Sequence, residues 1–251
     1  MIVKLVALCG LAALLALGGC TMAPREQSSP TLRVVCFGDS ITGFRPREPY
    51  ISMYLKWSDL LGLMLEAKVG PQTRVEVLNR GFAGDTTYAR PSDPGTGAIH
   101  RLPTDILAEK PDIAVIMIGG NDQKDTPEER QLTKTNLQKI VHDTKAAGIR
   151  VLLLQYAVLG PTATTQPAGA SAPHDTTWYS LAKNNDLIAA VAAAEDVPLL
   201  PLQPAYDAAL QTYPRTSLVN AADGVHLNPA GEMTVARAIF TKLESLGWIK
   251  K

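Results

Sequence analysis

The chain has 251 residues, of which 46% are hydrophobic, and its 24 basic residues balance its 24 acidic ones. No basic stripe or cluster stands out, which argues against nucleic acid as a partner. A chain of this length and apolar content can build one domain of ordinary size around a single core.

The first twenty residues have the pattern of a processing signal. One basic residue, Lys4, precedes an apolar stretch that ends in Gly18-Gly19-Cys20. Two small residues before a cysteine resemble a bacterial lipoprotein signal, in which Cys20 becomes the lipidated first residue of the mature protein. The alternatives are a plain secretory peptide and a short membrane anchor, but the apolar run is shorter than the ~20 residues that span a bilayer.

The lipoprotein interpretation predicts where the protein is found and how it is attached. We expect residues 1–20 to be removed, residues 21–31 to form a flexible tether, and residues 32–251 to form the domain. The anchor at Cys20 would hold the domain on a membrane outside the cytoplasm, facing the periplasm or on the outer membrane in a Gram-negative cell. Cys36 then remains as a free thiol inside an apolar run, so it is predicted to be a small buried core residue.

Apolar runs of β type alternate with stretches of helical spacing along the rest of the chain. The predicted strands cover residues 32–37, 75–78, 113–118, 151–154 and 197–200. The predicted helices cover residues 50–67, 97–110, 126–147, 176–195 and 229–246. This alternation predicts an α/β fold, a three-layer α/β/α sandwich around a flavodoxin-like, five-stranded parallel sheet.

A serine near the start of the chain and a histidine near its end carry the chemistry. Ser40 lies in Gly38-Asp39-Ser40 directly after the first strand, and His226 follows Asp223 by three residues. A serine hydroxyl is a weak nucleophile until a base takes its proton, and an imidazole steered by a carboxylate is the usual base. Taken alone, Ser40 is better explained as a turn serine that caps a helix.

Two glycine turns lie between these residues in the sequence, and each follows a predicted strand. The first contains Gly84 and the second, Gly119-Gly120-Asn121, contains an asparagine. Each could supply a hydrogen-bond donor to a developing oxyanion, because ligands of parallel sheets bind at the carboxyl ends of the strands. Each could also be an ordinary turn, with Gly84 present for its backbone conformation and Asn121 closing the turn.

These four segments, in this order, resemble the SGNH (GDSL) family of serine esterases over roughly the whole mature chain. The resemblance implies Ser40 as the nucleophile and Asp223 with His226 as the acid and base of a triad. It implies an oxyanion hole formed by Ser40, the backbone N–H of Gly84 and the side chain of Asn121. The implied activity is hydrolysis of carboxylic esters through an acyl-enzyme intermediate, without a cofactor.

Metal and nucleotide chemistry are the alternatives for these motifs. The Asp223 to His226 spacing permits a metal site, but zinc needs at least three protein ligands and no third is apparent. The turn at Gly81 lacks the closely spaced glycine pair of a dinucleotide fingerprint. We therefore expect neither a metal nor a cofactor. The other histidines, His100, His142 and His174, are predicted to have surface or capping roles.

The sequence says less about which ester is hydrolysed. Residues 160–177 are rich in small residues and barely apolar, unlike the hydrophobic lid of a triglyceride site. We expect a small-molecule or carbohydrate substrate with short-chain or sugar O-acetyl esters. The alternatives are a lysophospholipase or thioesterase of the same family, and a non-catalytic, lipid-anchored carbohydrate-binding protein. Acyl length, leaving group and oligomeric state are not predicted.

Overall fold

The computed structural model describes residues 29–43, 55–89, 97–122, 126–157, 159, 181–220 and 225–250. Its sheet has five parallel strands in the order β2-β1-β3-β4-β5. The strands are β1 (Thr31–Gly38), β2 (Arg74–Gly81), β3 (Ile113–Met117), β4 (Arg150–Gln155) and β5 (Leu199–Pro201). The predicted five-stranded, flavodoxin-like sheet is confirmed.

Helices cover the sheet to give the predicted three-layer α/β/α sandwich. They are α1 (Trp57–Val69), α2 (Ala98–Leu102), α3 (Pro127–Ala146), α4 (Asn185–Ala194), α5 (Gln203–Ala209), α6 (Arg215–Leu218) and α7 (Pro229–Ser245). Helix α1 packs on α7, and α3 packs on α4. The short helices α5 and α6 were not predicted from the sequence.

The central strands form the middle of the core. All five residues of β3 are buried, and Val34 to Phe37 of β1 are fully buried beside them. Strands covered on both faces read as continuous apolar runs, which is why the sequence showed them so clearly. Cys36 lies in this run as a buried free thiol whose pKa is raised by burial, and its predicted place in the core is confirmed.

Helix α3 begins where its sequence signals place it. Thr126 is the N-cap, and its hydroxyl accepts a hydrogen bond of 3.3 Å from the backbone N–H of Glu129. Pro127 occupies the first helical position, where its missing N–H costs nothing. The chain turns after the helix at Gly148, which has a positive φ of 81°.

Several elements differ from their predicted bounds. Of the predicted helix over 176–195, α4 covers Asn185–Ala194, and residues 176–180 lie outside the described part of the chain. Helix α1 begins at Trp57, because Asp59 accepts a hydrogen bond from the backbone N–H of Lys56 and caps the helix there; residues 50–54 of the predicted helix lie outside the described residues. The predicted helix over 97–110 divides at Pro103, where a π-helical turn, Pro103–Leu107, follows α2. Proline has no N–H for the regular helical ladder. Strand β5 begins at Leu199 rather than at residue 197, because the N–H of Val197 still donates to the carbonyl of Ala192 in α4.

Residues 1–28 lie outside the described part of the chain, so the predicted signal, the lipidated Cys20 and most of the tether remain predictions. Among the residues that are described, no helix is long and apolar enough to cross a membrane.

Candidate active site

Ser40 lies in a tight turn directly after β1, which we call the nucleophile turn (residues 39–43). The carbonyl of Asp39 accepts hydrogen bonds from the backbone N–H groups of Thr42 and Gly43, at 3.2 and 2.7 Å. The Asp39 carboxylate accepts a third from the N–H of Ile41, at 2.9 Å. An aspartate that bonds its own backbone two residues on stabilises such a turn locally. The turn holds Ser40 at the carboxyl end of the sheet.

His226 reaches this turn from the other end of the chain. Its Nε2 lies 2.9 Å from the Ser40 hydroxyl oxygen, although the two residues are 186 positions apart. The carbonyl of His226 accepts a hydrogen bond of 2.8 Å from the N–H of Asn220, and an isolated antiparallel bridge pairs Val219 with Leu227. These contacts fix the histidine just before α7. The distance is that of a hydrogen bond between a nucleophile and its base.

The two glycine turns lie at the carboxyl ends of β2 and β3, which flank β1 in the sheet. Gly84 has a positive φ of 73°, a conformation that favours glycine. The side-chain amide of Asn121 donates a hydrogen bond of 3.0 Å to the carbonyl of Asp85, the residue after Gly84. This bond ties the two turns together. It uses one N–H of the amide, and an amide carries two.

Close backbone contacts hold the nucleophile turn against its neighbours. A Cβ added to Gly81 would lie 2.1 Å from the nitrogen of Gly43, and a Cβ on Gly38 would lie 2.4 Å from the carbonyl oxygen of Met117. Neither distance is compatible with any side chain. Asn79 adds a side-chain link, because its amide donates to the carbonyl of Thr42 at 2.7 Å.

Buried carboxylates hold these turns in place. Asp122 accepts hydrogen bonds from the backbone N–H of Thr87 at 2.9 Å and from the hydroxyls of Thr87 and Thr133. Asp85 accepts from the guanidinium of Arg101 at 2.7 and 3.0 Å. Burial raises the pKa of both carboxyl groups, and these hydrogen bonds and the Arg101 charge oppose the rise.

Asp39, next to the nucleophile, is also fully buried. Burial raises its pKa to about 6, although a hydrogen bond of 2.6 Å from the Tyr156 hydroxyl and the bond from Ile41 lower it. The charge of a protonated His226 lowers it further, and the charge of Asp85 raises it. The ionisation of Asp39 therefore depends on the balance between its burial, which raises the pKa, and the hydrogen bonds to its two oxygens, which lower it.

A buried ion pair links the two ends of the domain beside the site. Lys56 Nζ lies 2.6 Å from Glu232 Oε1, and the two side chains are 4% and 3% exposed. The other oxygen of Glu232 accepts the backbone N–H of Trp57 at 2.8 Å, while the Trp57 indole donates to the carbonyl of Ile41 at 3.2 Å. The first turn of α7, which follows His226, is thus joined to the nucleophile turn.

The structure brings together four of the predicted site residues and leaves two unplaced. Ser40 and His226 are in hydrogen-bond contact, and Gly84 and Asn121 lie in the turns that flank Ser40. Asp223 and Cys20 lie outside the described residues, so the triad acid and the lipidation site stay predictions. Within the described part of the chain, no group of three or more His, Cys, Asp or Glu side chains gathers as a metal site.

Comparison with known protein families identifies the family of this chain. The model of the GDSL-like lipase/acylhydrolase family matches residues 36–233, a span that begins just before the nucleophile turn and ends in α7. The chain belongs to the GDSL-like lipase/acylhydrolase family. This protein is therefore a carboxylic ester hydrolase, and the resemblance drawn from its motifs is confirmed.

Solved structures of other enzymes share the fold of this GDSL-family chain. The acetylxylan esterase Axe2 from Geobacillus stearothermophilus superposes with a TM-score of 0.61 at 22% identity, over 89% of this chain and 99% of Axe2. LAE5, an α/β hydrolase from the metagenome of Lake Arreo, superposes with a TM-score of 0.63 at 24% identity, over 88% and 97% of the two chains. No curated protein matches the chain significantly.

Several residues that build this GDSL-family site were not predicted from the sequence. Tyr156 follows β4 directly, so its position at the carboxyl end of a strand was a signal that could have found it. Lys56 and Glu232 gave no such signal, because a glutamate in the first turn of a helix is common on surfaces. Of the three other histidines, His100 is exposed and His142 contacts Glu195 at the surface; His174 lies outside the described residues.

Proposed function

We propose that the protein hydrolyses carboxylic esters with Ser40 as nucleophile, through an acyl-enzyme intermediate, and that its substrates are short-chain or sugar O-acetyl esters outside the cytoplasm. The observation that carries the mechanism is the 2.9 Å contact between the Ser40 hydroxyl and His226 Nε2. It lies at the sheet edge where two further donor turns meet.

The first half-reaction forms the acyl-enzyme. The hydroxyl oxygen of Ser40 bonds to the acyl carbon while His226 Nε2 takes the hydroxyl proton. The carbonyl oxygen of the ester becomes an oxyanion. When the tetrahedral intermediate collapses, the bond to the alcohol oxygen breaks and the protonated His226 gives its proton to that alcohol. In the second half, water attacks the acyl group by the same route, and Ser40 is regenerated with the acid as product.

A hydrogen bond already holds one of the proposed oxyanion donors before a substrate binds. Asn121 is already bound to the turn that contains Gly84, through the 3.0 Å bond to Asp85. In the described part of the chain, the backbone N–H of Ser40 has no acceptor within hydrogen-bond distance. Preorganised donors of this kind are typically worth about 3–4 kcal/mol each in the transition state.

Asp223 is proposed as the carboxylate that orients His226, on the basis of its three-residue spacing. Asp122 and Asp85, the carboxylates in the two glycine turns, are engaged with threonines and with Arg101. Support also comes from Axe2, whose solved catalytic mutants replace a serine, and an aspartate and a histidine three positions apart in that protein, by alanine.

Two observations support a short acyl group on a polar substrate. Residues 160–177 are small and barely apolar in sequence, which does not suit a lid over long acyl chains. Axe2, which shares the fold across nearly its whole length, is an acetylxylan esterase. Acetylated sugars are therefore the substrate class to test first.

Ser40→Ala tests the mechanism. The substitution removes the nucleophile and opens little space, so the variant should stay folded and lose hydrolysis of p-nitrophenyl acetate. A fluorophosphonate probe should label the wild-type protein and not the variant. A panel of p-nitrophenyl esters from acetate to palmitate, with acetylated xylan, acetylated sialic acid and lysophosphatidylcholine, then ranks the substrates. Equal labelling of both proteins would overturn the assignment, and preference for palmitate or lysophosphatidylcholine would overturn the substrate class.

The lipid anchor is a separate proposal that rests on the Gly18-Gly19-Cys20 pattern. Cys20→Ser should abolish incorporation of a labelled fatty acid and shift the enzyme out of the membrane fraction or leave it unprocessed. Cys36→Ser is the matched control. Cys36 is buried in the core, so its substitution should leave the incorporation of fatty acid unchanged. Label retained in Cys20→Ser would place the anchor elsewhere.

A further inference from the structure

Tyr156 connects β4 to the nucleophile turn by one hydrogen bond. Its hydroxyl donates to Asp39 Oδ2 at 2.6 Å, across 117 positions of sequence, and both side chains are buried. Asp39 is the residue directly before Ser40. A short bond to a buried carboxylate is of the stronger class, because one partner is charged.

Tyr156 is itself held on two sides. Its backbone N–H donates to the side-chain oxygen of Asn185 at 3.0 Å, and the Asn185 amide donates back to its carbonyl at 2.8 Å. Gly120 lies against the ring, since a Cβ at that position would come within 2.8 Å of Tyr156 Cζ. The ring therefore has a fixed place between α4 and the turn that carries Asn121, and its hydroxyl has a fixed direction.

Both oxygens of the Asp39 carboxylate are used. Oδ2 accepts from Tyr156, and Oδ1 accepts the N–H of Ile41, the residue directly after Ser40. The bond from Ile41 to the Asp39 carboxylate thus joins the two residues on either side of Ser40 in the sequence. A small rotation of the Asp39 side chain would move the backbone of the turn, and with it the 2.9 Å contact between Ser40 and His226.

We propose that Tyr156 is a positioning residue for ester hydrolysis: its hydroxyl fixes the Asp39 carboxylate, which holds the turn that aligns Ser40 with His226. The proposal rests on the serine mechanism proposed above. Tyr156 acts on Ser40 through Asp39, whose carboxylate accepts its hydrogen bond.

The ionisation of Asp39 predicts how the loss of the Tyr156 hydroxyl changes the dependence of activity on pH. Its pKa is near 6 because burial raises it, while Tyr156, Ile41 and the charge of His226 lower it and Asp85 raises it. Burial and the Asp39 charge raise the pKa of Tyr156, with a smaller contribution from Asp122, so the hydroxyl remains a donor. A protonated Asp39 would lose one acceptor and loosen the turn. Removing the hydroxyl should therefore raise the pKa of Asp39 and shift the acidic limb of activity upward.

Tyr156→Phe tests the proposal, with Tyr206→Phe as its matched control. Both tyrosines are buried and line one small apolar cavity of about 40 Å³, but Tyr206 donates no hydrogen bond to the described residues. For Tyr156→Phe, kcat on p-nitrophenyl acetate should fall roughly tenfold or more near neutral pH and recover toward about pH 9, with KM changed less than about twofold. Tyr206→Phe should resemble the wild-type protein.

A double-mutant cycle separates action through Asp39 from a general effect on packing. If Tyr156 acts through Asp39, the combination of Tyr156→Phe with Asp39→Asn should lose no more activity than the worse single variant. Losses that multiply would overturn the proposal, as would an unchanged pH profile or an equal loss in Tyr206→Phe.

The outcome for Ser40 distinguishes failure of this proposal from failure of the mechanism. If Ser40→Ala retains hydrolysis, the serine mechanism fails and the role of Tyr156 with it. If Ser40→Ala is inactive while Tyr156→Phe matches the wild-type protein across the pH range, the mechanism stands and only the positioning role is wrong. The rate of fluorophosphonate labelling of Ser40 provides a second readout that does not depend on turnover.

Discussion

Replacing Glu232 by glutamine tests how strongly the buried ion pair between α1 and α7 stabilises the domain. The substitution keeps the size of the side chain but removes the charge that lies 2.6 Å from Lys56 Nζ. Lys56 and the backbone N–H of Trp57 bond different oxygens of Glu232, at 2.6 and 2.8 Å, so the NH2 group of the glutamine would face one of these two donors. One buried donor is left unsatisfied whichever way the amide turns.

The expected loss is large because the ammonium group stays buried without its counter-charge. Breaking a buried pair from one side typically costs about 3–5 kcal/mol in the free energy of unfolding. For a domain of this size, each kcal/mol lowers Tm by about 2–4 °C, so Glu232→Gln should lower Tm by roughly 6–20 °C. Urea unfolding monitored by circular dichroism measures the free energy directly.

The double variant Lys56→Met, Glu232→Gln decides whether the charge is the cause. It removes the ammonium and keeps an acceptor for Trp57, so its stability should return to within about 1 kcal/mol of wild type. Burial raises the pKa of Glu232 more than Lys56 lowers it, which agrees with a pair that contributes little net stability but is costly to break. If the double variant is no more stable than Glu232→Gln alone, the reasoning is refuted.

Further predictions concern catalysis and pH. Asn121→Ala should lower kcat by about 10² or more with a smaller change in KM, because its amide acts on charge present in the transition state; a large fall in Tm would instead make it a turn residue first. Asp223→Asn should reduce kcat by orders of magnitude, and combining it with His226→Ala should cost no more than the worse single change; multiplied losses would reassign the triad acid. The pKa of Asp39 is about 6 in the fold, against an ordinary value of 3.8, so the folded state binds a proton that the unfolded state has lost between about pH 4 and 6. The free energy of unfolding should therefore fall by up to about 3 kcal/mol as pH rises through this range. Urea unfolding should show a weaker pH dependence in Asp39→Asn. Thr42→Val should hold or raise Tm, because no described residue bonds the buried Thr42 hydroxyl; a clear loss of stability would show that the hydroxyl has a partner.

The sheet and the residues at its carboxyl edge could be predicted because their signals are local. Buried parallel strands read as apolar runs, and a reactive turn directly after such a run must lie at the edge of the sheet. Ser40, Gly84 and Asn121 were found in this way, from β1, β2 and β3. The start of α3 was also predicted, since Thr126 and Pro127 signal it within the helix itself.

The features that could not be predicted depend on residues far apart in sequence. Nothing near Lys56 indicates that it pairs with Glu232, 176 positions away, or that this contact helps fix the start of α1. The π-helical turn after α2 needed knowledge of how the chain continues beyond Pro103. Tyr156 was visible as a polar residue after a strand, but its acceptor, Asp39, is defined only by the strand order.

The glycine contacts around the nucleophile turn have a consequence for how this enzyme tolerates change. Gly38, Gly43 and Gly81 contribute no functional group, yet any side chain at Gly38 or Gly81 would collide with a neighbouring backbone. Alanine at Gly81 should therefore inactivate the enzyme as thoroughly as loss of its nucleophile. Libraries that seek new substrates should leave these glycines unchanged and vary side chains at the rim, because the shape of the reactive centre is determined by main chain packed on main chain.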